Sequence, residues 1–118
     1  MVAAAARTGS YDAPWRSSPG VWEHFRDEAD LLRHLQQTWR HALAGEVYVA
    51  IERGEGDLPE DVTRAFQTTC RRYDGIRKIL EAHQDHPAIS AAMRKERSLL
   101  SCLVSGPSDE QLGDLTAA

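Results

Sequence analysis

The chain has 118 residues, 42% of them hydrophobic and 27% charged, which suits one ordinary soluble unit with a modest core. Its net charge of -4 argues against a dedicated nucleic-acid binder, which carries a basic excess. Two cysteines cannot make a disulfide scaffold, and no stretch is apolar for long enough to span a bilayer.

The opening MVAAAARTGS lacks the apolar run of a signal peptide, so the expected compartment is the cytoplasm. Lys78 and Lys95 are the only lysines; arginine supplies the remaining positive charge, a bias of GC-rich bacterial coding sequences.

Residues 1–19 are rich in Ser, Pro and Gly and show no period, so a disordered arm is expected. Trp15 stands out there. It is either an anchor for a partner or a residue that folds back on its own chain.

A first helix is expected over about residues 21–53. Phe25, Leu32, Leu35, Trp39, Ala42, Leu43, Val49 and Ala50 recur at intervals of about three, four or seven positions and draw one apolar stripe. The segment RGEGDLPEDV then punctuates the chain. Gly54 and Gly56 suit a helix end, Asp57 suits an N-cap and Pro59 suits a first turn.

A second helix is expected over about residues 58–84, with the seam Val62, Phe66, Thr69, Tyr73, Ile76, Leu80 and His83. Asp85 and Pro87 mark a second turn. A third helix is expected over about residues 87–104, with Ile89, Met93, Leu100 and Leu103 inward. Residues 105–118 read as a flexible tail. The fold class is therefore all-α, an antiparallel three-helix bundle over residues 20–104 with a tail at each end.

The second helix carries a basic face of Arg64, Arg71 and Lys78, opposite the seam. Acidic residues stand four positions from its cations: Glu60 by Arg64, Asp74 by Lys78, Glu81 by Arg77. That pattern favours a solvated, salt-bridged face over a surface for nucleic acid, which needs unneutralised charge.

Several polar residues fall on apolar arcs. If the first turn lies near residue 56, residue i of the first helix faces roughly residue 112 − i of the second. Leu35 then meets Ile76, Trp39 meets Tyr73, and Glu28 meets His83. His24, Glu28, His83 and His86 would gather at one end of the bundle, where imidazoles and a carboxylate could ligate zinc or iron. A wet bundle end with a simple His–Glu hydrogen bond explains the same residues, and no cofactor is the favoured expectation. Glu96 is expected to meet Tyr73 or Arg77. Glu46 and Glu96, if unpaired within the chain, would mark an interface, because a buried carboxylate is costly without a partner.

Catalytic signatures are absent: there is no Gly-rich phosphate loop, nucleophile elbow or Cys-x-x-Cys. Cys70 reads as a packed thiol, and an internal bridge to Cys102 is disfavoured. The favoured function is a non-enzymatic adaptor or regulator that binds another protein or a second copy of itself. Leu31 or Ile51 would supply exposed apolar surface for it, with Trp15, Glu46 and Glu96 as further contacts. The competing readings are the metal-binding bundle and a nucleic-acid regulator.

Overall fold

The computed structural model describes residues 9–54 and 56–105, with Met1, Val2, Ala5 and Arg7 ahead of them. All regular structure among these residues is helical. Two short 3₁₀ turns, Pro14–Ser17 and Pro19–Glu23, precede four helices: α1, Glu28–Arg53; α2, Leu58–Arg72; α3, Asp74–Ala82; and α4, Ser90–Ser105. The expectation of a flexible tail over residues 105–118 lies, beyond Ser105, outside the described residues.

Helix α1 starts seven residues later than its stripe suggests. Asp27 is extended, and its side chain accepts from the Asp30 N–H at 2.9 Å, which makes it the N-cap. The residues before it take a 3₁₀ turn begun by Pro19. Asp57 caps α2 in the same way, accepting from the Glu60 N–H, with Pro59 in the first turn. Gly56 between α1 and α2 has a φ of 97°, a conformation that side chains resist. Gly54 is needed for a different reason: a Cβ there would run into the buried Asp61 carboxylate.

The expected second helix is two helices. Tyr73 leaves the helical region at φ −120°, ψ 38°, and the residue is 36% exposed instead of lying in the seam. Tyr73, Asp74 and Gly75 are weak helix formers in succession, so the chain bends there at low cost. Gly75 also leaves room for Val2, whose side chain lies where a Cβ would stand.

The third expected helix also starts late. Residues 83–89 form linked turns, with the His86 N–H donating to the His83 carbonyl at 2.8 Å. The ring of His86 accepts from the Ala88 N–H at 3.0 Å.

One core runs through the molecule. Leu31, Leu32, Leu35, Trp39 and Leu43 of α1 pack with Ile79, Leu80, Ile89 and Met93. Tyr11, Trp15, Val21 and Phe25 pack against the same cluster from the N-terminal side. Leu31 is 1% exposed, so it is core and not the expected exposed strip. Helix α1 packs most extensively on α2, and α2 in turn on α4; contact between α1 and α4 is much thinner.

Candidate functional site

The polar residues on apolar arcs resolve into two arrangements. The first is centred on Glu96. Its carboxylate accepts from the indole N–H of Trp39, which is fully buried, and from Arg77 Nη1 at 2.7 Å. Arg77 also donates through Nε to Glu81 at 2.9 Å, and its guanidinium lies 4.8 Å from the Trp39 ring centroid and 5.4 Å from that of Phe66. Burial pushes the basicity of Arg77 down, but the bonds and charges of Glu96 and Glu81 outweigh it and the net direction is up. The cation is therefore fixed. Glu96 meets Arg77 as its arc implied, whereas Trp39 packs edge-on against Phe66 and not against Tyr73. The bend at Tyr73 breaks the straight register that paired them.

The second arrangement surrounds His83. Both ring nitrogens face carbonyl oxygens: Nδ1 that of Ile79 at 2.8 Å, Nε2 that of Asp12 at 2.7 Å. Trp15 packs on the ring at 5.5 Å between centroids with the planes tilted by 45°, and Glu28 Oε1 lies 3.9 Å from Nε2. Trp15 thus folds back on its own chain. The expected metal group does not assemble: among the described residues no three His, Cys, Asp or Glu side chains are placed to hold an ion. The physical cause is local. His24 precedes the start of α1, so it has no i,i+4 register with Glu28, and His86 is turned to the Ala88 N–H.

Two of the three cations of the basic face, Arg64 and Lys78, are paired as their spacing implied, whereas Arg71 has no acidic partner among the described residues. Arg64 pairs with Glu60 and Asp61, Lys78 with Asp74 at 3.0 Å, and Arg71 donates to Thr68. The Asp74 hydrogen bond and charge raise the Lys78 pKa. Glu46 pairs with Arg72 across α1 and α2, so neither it nor Glu96 is left unpaired within the chain.

A third feature was not foreseen. Because α4 leans on α2, an apolar groove of about 380 Å³ opens between α1 and α4. Leu43, Ala44 and Val47 form one wall; Leu99, Leu100 and Leu103 form the other. Leu99 is 54% exposed and Leu103, expected inward, is 37% exposed. Ile51, at 48%, continues the α1 wall seven residues beyond Ala44. Gln36 also lines the groove. It is 8% exposed, and its buried Oε1 has no hydrogen-bond partner. Arg40 and Lys95 line it too; both are exposed, and neither has an acidic partner among the described residues.

Gln36 carried a sequence signal that went unread. It stands four after Leu32 and seven before Leu43, inside the buried arc, where a polar side chain is unexpected. The groove itself carried none, because it depends on how two distant helices lean.

No family model, curated protein or solved structure matches this chain. Among the described residues, no helix is long and apolar enough to cross a membrane.

Proposed function

We propose that this chain is a non-enzymatic helical module that acts by binding another protein, which lays a helix into the groove between α1 and α4. In this reading α2 and α3 act together as the second member of an antiparallel three-helix bundle, and the incoming helix completes a fourth position. One observation carries the reading: a continuous apolar strip, Leu99 and Leu103 facing Ala44 and Val47, lies open between the two helices. Exposed leucines in such a row are an association surface. The helix-in-groove mode uses apolar anchors at intervals of three and four, which is the spacing of both walls.

Affinity purification of the tagged chain tests this. A partner retained by the wild type should be lost with Leu99→Asp and kept with Leu58→Asp, an exposed leucine outside the groove. Circular dichroism would establish that both variants are folded. Retention of the same proteins by Leu99→Asp, or no partner for either form, would refute the proposal.

A further inference from the structure

We propose that the helix received by the groove is acidic: an amphipathic helix of a partner protein, with an apolar stripe for the walls and, near one end, a carboxylate on each side of that stripe for Arg40 and Lys95. The inference rests on the groove being a docking surface, as above, and adds the chemistry of its occupant.

The chain has a net charge of -4, and most cations of α2 and α3 are satisfied within it. Arg64 pairs with Glu60 and Asp61, Arg72 with Glu46, Arg77 with Glu81 and Glu96, and Lys78 with Asp74. On the groove the balance is reversed. The charged residues lining it are Arg40, Lys95 and Glu96. Glu96 is committed through both oxygens, to Trp39 and to Arg77. Arg40 and Lys95 are exposed, and neither has an acidic partner among the described residues. Their own helices supply none, because no acidic residue stands three or four positions from either. An acidic chain thus sets two available cations on the lips of an apolar groove.

Their placement says where the partner's charge must lie. Arg40 directly follows Trp39, and Lys95 directly precedes Glu96, so both stand at the level of the Trp39–Glu96 bond, one on each lip. The apolar walls extend away from that level, through Leu43 and Val47 on α1 and Leu99 and Leu103 on α4. From Lys95 to Leu103 the wall is about 12 Å long, a little over two turns at the helical rise. A helix of about three turns, with apolar anchors at intervals of three and four, covers it. Residues on either side of its stripe then face the two lips, as residues beside a coiled-coil seam face the neighbouring helix.

The two cations also exclude other occupants. A basic helix would set like charge against Arg40 and Lys95, so the pair selects by repulsion as well as attraction. A nucleic acid brings negative charge but no apolar stripe for the walls. An anionic lipid surface brings both, but as a flat boundary and not as a rod that fits between two helices.

Two synthetic helical peptides, with the same leucine stripe and either glutamates or lysines beside it, test this by NMR titration of the isotope-labelled full chain. The glutamate peptide should shift the Ala44, Val47 and Leu99 amide signals. It should bind about tenfold more tightly than the lysine peptide at low salt, and the preference should shrink as salt rises. Arg40→Glu/Lys95→Glu should reverse the preference, and Leu99→Asp should abolish binding of both peptides; circular dichroism would establish that the variants are folded. If both peptides bind the groove equally, only this inference fails and the docking surface stands. If neither shifts the groove signals at about 1 mM, neither reading survives. Tighter binding to phosphatidylserine vesicles than to the glutamate peptide, lost in the charge-reversed variant, would put a lipid surface there and overturn the proposal.

Discussion

Trp39 and Glu96 are joined by a hydrogen bond across 57 residues of sequence, from the buried indole N–H of α1 to a carboxylate of α4. The bond ties α4 to α1, alongside the Met93 side chain in the shared core, although the two backbones lie close at few points. The same carboxylate secures Arg77 of α3, so one side chain links three helices.

Removing that carboxylate should be costly. Glu96→Ala leaves a buried indole donor unpaired and Arg77 with Glu81 alone, and the expected loss is about 3–5 kcal/mol. Arg72→Ala, which breaks the more exposed pair with Glu46, should cost about 1 kcal/mol or less. Urea unfolding of the two variants checks the contrast. Equal losses would mean that Glu96 is not the hub.

His83 should govern the N-terminal layer. His83→Ala removes the contacts to Asp12 and Ile79 and the packing on Trp15. Stability should fall by about 1–3 kcal/mol. Trypsin should also cut faster after Arg16, which is exposed in the first 3₁₀ turn. An unchanged rate of cleavage would show that the layer is held by its apolar contacts alone.

The two thiols should react at different rates. Cys102 is exposed, whereas Cys70 is half-buried. Burial raises the Cys70 pKa; Arg77 opposes this, and Glu81, Glu96 and Asp74 add to it. The Cys70 thiol is therefore harder to deprotonate than an ordinary thiol, and its rate should rise at a higher pH than that of Cys102. Timed alkylation with mass readout should show one fast and one slow site, converging in urea. Two fast sites in the folded chain would contradict the packed thiol.

Two glycines should respond in opposite directions. Gly45 lies inside α1 with open space where a Cβ would go, so Gly45→Ala should stabilise by about 1 kcal/mol. Gly54→Ala drives a methyl into the Asp61 carboxylate and should destabilise by about 1–3 kcal/mol. Thermal melts of the pair give the signs directly.

What the sequence by itself determined is local and periodic. Leu32, Leu35, Trp39 and Leu43 are buried because their spacing put them on one face. Asp57 caps α2, and the pairs of Arg64, Lys78 and Arg77 form, because a helix brings residues four apart together. Tertiary structure decided the rest. The N-terminal stretch has no period, so nothing local announced that Tyr11 and Trp15 would pack against the core. The bend at Tyr73 turns that residue out of the seam, Phe66 meets Trp39 in its place, and His83 meets Asp12 as well as Glu28. The groove depends on α4 leaning toward α2, and that tilt follows from the summed packing of several helices. Periodicity says which side of a helix turns inward; only the assembled packing says which inward-facing residues are left without a neighbour.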